Sequence, residues 1–183
     1  VVESGPLLRL APGQACHLVD HFNGGPPPAG LTQRADGQYR LTLDQVSQPV
    51  LCVPAPYVIR QKLRLEKSAV LRTAFGLTPE SWNKKGAGVR FSVRLRRGNR
   101  VTQLLSQEVK RWRGPHTPNW SPVTIDLPHA AGDEVEIELA AETLGEPRPG
   151  APEETVWAYA VWVNPRLISP SRTPRPNLSL IHI

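Results

Sequence analysis

Apolar and polar residues alternate most strictly over residues 88–97, where Val89, Phe91, Val93 and Leu95 share one parity and Arg90, Ser92, Arg94 and Arg96 the other. A period of two belongs to a strand with one buried and one wet face. Residues 134–141 repeat it, with Val135, Ile137, Leu139 and Ala141 inward and Glu134, Glu136 and Glu138 outward. Residues 57–65 set Ile59, Leu63 and Leu65 against Arg60, Lys62 and Arg64, and residues 69–77 follow after a short polar break. The pair is predicted to form a hairpin. Further strands are expected at 16–22, 38–43, 50–53, 101–109 and 123–127. Residues 155–163, from Thr155 through Trp157, Tyr159 and Trp162 to Val163, show no polar parity. That is the signature of a central strand covered on both faces, and it closes the core.

About nine short strands, separated by turn residues and without a βαβ rhythm, predict an all-β fold, an antiparallel β-sandwich of the jelly-roll or immunoglobulin kind. Twenty prolines and 14 glycines point the same way. Proline removes a helix donor and clashes with the preceding turn, so helix should be scarce. Residues 81–86, 114–120 and 144–154 read as exposed loops. A length of 183 residues holds one such domain with a short tail. The sandwich is expected over 1–168, an extended linker over 169–175, and the start of a second domain over 176–183. With no methionine in the chain, Val1 does not read as a translation start, so the amino end is expected to be cut.

Charge refines this picture. The net charge is +6, but the signs are segregated. Lys84, Lys85, Arg90, Arg94, Arg96, Arg97, Arg100, Lys110, Arg111 and Arg113 fall in one stretch, and Asp126, Asp133, Glu134, Glu136, Glu138, Glu142, Glu146, Glu153 and Glu154 in a later one. If strands from the two are neighbours, the excess cancels in cross-strand pairs. A nucleic-acid groove would interleave aromatics with the arginines on the wet face, whereas Phe91 has core parity. Nucleic acid is therefore not the expected partner, although an acidic or sulfated polysaccharide would suit a basic face. No stretch has the apolar length of a membrane span.

Candidate chemistry is sparse. Trp82, Trp112 and Trp120 stand in or beside loops near Lys84, Arg111, Arg113 and Asn119. Aromatic faces stack on sugar rings while guanidinium and amide groups take hydroxyls or sulfate, so Trp82, Trp112, Arg113 and Trp120 form the candidate ligand site. The alternative is that the tryptophans cap the ends of the core. His17, Asp20 and His21 carry metal-binding side chains, but on a strand Asp20 points away from both histidines, so no metal is expected. The serines lack a glycine-flanked elbow and Cys52 has no His or Arg beside it, so no catalytic residue is assigned. Cys16 and Cys52 are read either as buried thiols or as one disulfide.

Residues 89–167 resemble the jelly-roll modules that accompany catalytic domains in bacterial carbohydrate-active hydrolases. The marks are Phe91-Ser92-Val93, Trp120 leading into Val123-Thr124-Ile125-Asp126-Leu127, Ala131-Gly132-Asp133-Glu134-Val135, and the run from Trp157 to Pro165. Arg175-Pro176-Asn177-Leu178 with Leu180-Ile181 resembles the opening strand of the sulfatase and alkaline-phosphatase-like domain. Ser179 and His182 depart from its apolar run, and the closing Ser-Leu-Ile-His-Ile resembles translated sequencing-adaptor sequence. Cys52-Val53-Pro54-Ala55-Pro56 begins like the Cys/Ser-x-Pro-x-Arg nucleophile motif of that family, but Pro56 stands where arginine is required, so Cys52 is read as structural.

The resemblance implies a non-catalytic amino-terminal sandwich of a sulfatase-like hydrolase. The divalent metal, calcium or similar, and the sulfate-ester chemistry would belong to a following catalytic domain, and this chain itself would need no cofactor. It further implies a periplasmic or extracellular setting, with the catalytic domain of the same chain and a glycan or sulfated polysaccharide as partners. The alternative is a free-standing carbohydrate-binding or surface-adhesion module.

Overall fold

The computed structural model describes residues 2–22, 32–33, 39–43, 46–66, 68–78, 88–109, 120–127, 132–144 and 159–170. They form thirteen strands and a single turn of 3-10 helix. The strands are β1 (Val2–Ser4), β2 (Leu8–Leu10), β3 (Ala15–His17), β4 (Thr32–Gln33), β5 (Tyr39–Leu43), β6 (Val46–Pro54), β7 (Tyr57–Leu65), β8 (Ala69–Leu77), β9 (Val89–Arg97), β10 (Arg100–Val109), β11 (Ser121–Leu127), β12 (Glu134–Thr143) and β13 (Tyr159–Ile168).

Two sheets pack face to face. The first has the order β1-β7-β12-β9-β10, with β2 also on β7; the second runs β11-β8-β13-β6-β5-β4, with β3 on β13. From β6 onward the strands pair in nested fashion: β9 with β10, β8 with β11, β7 with β12 and β6 with β13, all antiparallel. The path alternates between sheets at every step except the β9–β10 turn. A long double-stranded ribbon wound in this way is a jelly roll.

Apolar parity explains the winding. The inner residues of β7, β9 and β12 face those of β8, β11 and β13 in one continuous core. At its centre Phe75, Phe91 and Trp162 are fully buried, their ring centroids 4.8 to 5.6 Å apart. Offset and edge-on rings of this size contribute about 1 kcal/mol per pair beyond their buried area. β13 is central and covered on both faces from Ala160 to Val163, as its lack of polar parity requires.

Two expectations need correction. Strands β7 and β8 match the predicted limits, yet they are not a hairpin: β7 lies in the first sheet and β8 in the second. Each buries its apolar parity against the other's sheet, so the short break between them is a crossing over the core rather than a turn within a ladder. The strand expected over 16–22 ends at His17, and Leu18–Asp20 turns as a 3-10 helix. Leu18, Val19 and Phe22 are all buried, a spacing that suits a helical turn and not period two. The short edge strands β1, β2 and β4 carry too few residues for their pattern to be read.

Gln61 is a polar exception on the inner face of β7, fully buried. Strands β1 and β2 both pair parallel with β7, and the chain kinks between them at Gly5–Leu7. The Gln61 side-chain amide donates to the Pro6 carbonyl at that kink and to the Lys62 carbonyl at 2.9 Å. A Cβ on Gly5 would meet the Gln61 side-chain oxygen at 2.5 Å, so a larger residue there would make the Gln61 side chain move. Tyr57 adds a tie, its hydroxyl donating to Glu3 at 2.5 Å.

Candidate functional site

The outer face of the first sheet carries the arginine and glutamate strands side by side. β12 lies between β7 and β9, so its glutamates stand opposite arginines on both sides: Glu138 faces Arg60 and Arg94, and Glu136 faces Lys62 and Arg96. Glu138, only 3% exposed, accepts from Arg60 Nε and Arg94 Nη1, each at 2.9 Å. Arg94 also donates to Glu142 at 2.8 Å, Arg96 approaches Glu136 at 3.5 Å, Arg90 reaches Glu108 at 2.8 Å and Arg97 lies 3.4 Å from Asp133. Burial alone would raise the Glu138 pKa, but the hydrogen bonds from Arg94 and Arg60 outweigh it and hold the carboxyl below its ordinary range. Among the described residues, the arginines of β9 and the glutamates of β12 therefore neutralise one another across the ladder.

The outer face of the second sheet is built differently. Val50, Cys52, Val161 and Val163 form a second buried apolar cluster, with Ala74, Trp120 and Tyr159 packed against it and half-buried. Trp120 immediately precedes Ser121, which pairs with Phe75, and Tyr159 pairs with Pro54, so both aromatics sit toward the same end of the sheet. Of the residues expected at the ligand site, Trp120 is the one placed here. Trp82, Trp112 and Arg113 lie outside the described residues.

Further along the same face the surface turns polar. Thr124 pairs with Arg72, Arg72 with Arg166, and Arg166 with His17, giving one row across β11, β8, β13 and β3. The row exists because of a β-bulge: the register of β13 on β8 shifts between Val163 and Arg166, and Asn164 there adopts a left-handed φ of 44°. Without the extra residue the alternation would turn Arg166 inward and Leu167 outward. A bulge re-aims side chains in this way. Asn164 is fixed from two sides, accepting from His17 Nδ1 at 3.3 Å and donating to Gln48 Oε1 at 3.4 Å. Arg72, Arg166 and the bulge were not singled out from the sequence. The run Val163-Asn164-Pro165-Arg166, with a proline that has no N–H for the ladder, was the available signal.

His17, Asp20 and His21 do not assemble into one cluster: among the described residues no group of three or more His, Cys, Asp or Glu side chains could hold a metal ion. Cys16 and Cys52 are not joined in a disulfide. Cys16 pairs with Leu167 and Cys52 with Val161, six positions apart along β13 and so roughly 20 Å. Burial, and then the charge of Asp20, push the Cys16 thiol up, away from the thiolate. No helix among the described residues is long and apolar enough to cross a membrane.

No family model matches the chain. A protein of Archaeoglobus fulgidus described as uncharacterized is 28% identical over 111 residues, which are 60% of this chain and 26% of that protein. The chain thus spans about a quarter of the length of that relative. Among solved structures, the K1 cleaved adhesin domain of Lys-gingipain from Porphyromonas gingivalis W83 aligns at TM-score 0.44 and 14% identity, covering 86% of this chain and 98% of that one. The CBM22-1 xylan-binding domain of Xyn10C from Paenibacillus barcinonensis aligns at TM-score 0.36 and 11% identity, covering 92% and 97%. These neighbours are adhesin and carbohydrate-binding modules; none of the likenesses links the chain to a sulfatase.

Proposed function

We propose that this chain is a carbohydrate-binding or surface-adhesion module of a larger protein, without catalysis of its own. The observation that carries the reading is the pair Trp120 and Tyr159, half-buried on an outer sheet face that is otherwise apolar at that end. A flat aromatic face matches the apolar face of a pyranose, and the polar tips of Trp and Tyr take hydroxyls at the margin. The described outer face of the first sheet offers no comparable surface, since charged side chains cover it and Arg60, Arg90, Arg94, Arg96 and Arg97 are paired with carboxylates.

Affinity electrophoresis of the whole chain through gels containing xylan, dextran or polygalacturonate tests this. Retardation by at least one polysaccharide is expected, with Trp120→Ala weakening it about tenfold, equivalent to about 1.4 kcal/mol. Migration unchanged in every gel overturns the reading.

A second reading concerns what the module serves. The resemblance of residues 175–181 to the opening strand of the sulfatase-like domain supports an accessory role in such a hydrolase, whose divalent metal and nucleophile would reside in that other domain. Sequencing the source DNA beyond the codon for Asn177 decides it: an aspartate pair followed by Cys/Ser-x-Pro-x-Arg supports the sulfatase parent, and a stop codon or an unrelated domain sinks it.

A further inference from the structure

We propose that Arg72 and Arg166 form an oxyanion site on the outer face of the second sheet, taking the carboxylate or sulfate of an acidic polysaccharide. This deepens the glycan-binding reading above and rests on it.

The inference starts from an unfavourable contact. Arg72 and Arg166 are direct cross-strand partners on the outward parity of β8 and β13. Opposed residues of an antiparallel pair hold their Cβ atoms about 5 Å apart, and like charges placed so repel. Their flanking partners in the row, Thr124 and His17, carry no negative charge. Asp126 lies on the same strand as Thr124, opposite Val70, and neither it nor any other described acid pairs with either arginine. Two other arginine pairs stand in register among the described residues, both on the first sheet: Arg97 and Arg100 at the β9–β10 turn, with Asp133 at 3.4 Å from Arg97, and Arg9 and Arg64 on β2 and β7, with Glu134 of β12 opposite Arg64. The first sheet thus supplies a carboxylate wherever guanidinium groups crowd, and the second withholds one.

The contact is also constructed. Arg166 faces outward because Asn164 adds a residue to β13, in a left-handed conformation that residues with a side chain seldom adopt. His17 and Gln48 hold that residue in place. Two guanidinium groups side by side present parallel N–H donors to the oxygens of one carboxylate or sulfate, and a bound anion converts their repulsion into two charge-assisted contacts. The row is four residues along β8 from Gly76, which pairs with Val161 of the aromatic-flanked cluster, a distance of about 13 Å. An anionic group here and a stacking surface at the other end of the same face define an acidic glycan rather than a lone ion.

The test measures binding of the whole chain at low salt to heparin as the sulfate source, polygalacturonate as the carboxylate source, neutral xylan, and single-stranded poly-dT as a polyanion without sugar acid or sulfate. Expected are tighter binding to at least one acidic glycan than to xylan, loss of that preference by tenfold or more in R72Q/R166Q, and a change within twofold in R64Q, an exposed arginine of the first sheet. Which acidic polymer is preferred identifies the anion. Melting temperature guards against a folding artefact, because removing the repulsion leaves R72Q at least as stable as the parent.

Xylan bound as tightly as both acidic glycans, with the double variant unaffected, overturns the oxyanion site and leaves the glycan reading standing. Failure to bind any polysaccharide overturns both. Poly-dT bound as tightly as either acidic glycan overturns the site as a glycan receptor.

Discussion

The two outward faces of this sandwich treat charge in opposite ways. On the first sheet five arginines, Arg60, Arg90, Arg94, Arg96 and Arg97, each lie within ion-pair distance of a carboxylate, and Glu138 is held at the centre almost out of water. On the second, two arginines oppose each other with no acid between them, at the far end of a face that begins with Trp120 and Tyr159. The difference teaches that charge count is a poor guide to binding. The stretch richest in arginine is electrostatically closed, and the face with two arginines is open.

The largest effect expected from breaking this contrast is at Glu138. Glu138→Ala leaves Arg60 and Arg94 opposed across an empty position and should cost about 2–3 kcal/mol in urea denaturation, below the full cost of a deeply buried pair because both arginines keep some solvent. A cost below about 0.5 kcal/mol would mean that the ladder is ornamental. Next is the aromatic end: Trp120→Ala removes a half-buried ring and should lower stability by about 1–2 kcal/mol while weakening polysaccharide binding.

Acid sharpens the comparison. The folded-state pKa of Glu138 is lowered from 4.5. Its contribution is therefore present above the unfolded value and is lost as pH falls through the folded one. The melting temperatures of the parent and of Glu138→Gln should differ at pH 7 and converge in acid, as pH falls through the lowered pKa of the folded state. A gap that persists at pH 2 would place the effect in packing instead. Arg90→Ala, which removes an exposed pair with Glu108, should leave the urea midpoint close to that of the parent. Smallest of all, Arg72→Gln should gain a few tenths of a kcal/mol by relieving the contact with Arg166, opposite in sign to every change on the first sheet.

Much of this architecture is legible in the sequence, because one buried face imposes period two. β7 and β8 match the predicted limits and β9 differs only by its first residue, while the opposed parities of Arg90–Arg96 and Glu134–Glu138 anticipate their cross-strand pairing. What period two does not encode is which strands share a sheet. β7 and β8 have the same pattern whether they pair as neighbours or face each other across the core. The candidate site was less legible still. Trp120 could be proposed from its type and loop position, but Arg72 is one polar residue in an alternating strand, and Arg166 becomes its partner only through a single-residue shift at Asn164. A register shift is a long-range property, set by what lies across the ladder.

The parallel seating of β1 and β2 on β7 has a mechanical consequence. Val2 lies beside Val58 at one pole of the sandwich, whereas Ser169, bonded through its backbone to Gly13 and Gln14, closes β13 at the opposite pole beside Ser68. Tension applied between those two points runs along the strands. It loads the hydrogen bonds of β1 and β2 on β7, and of β13 on its neighbours, side by side in shear instead of peeling them one at a time. A module threaded pole to pole transmits force through its ladders and resists being drawn out.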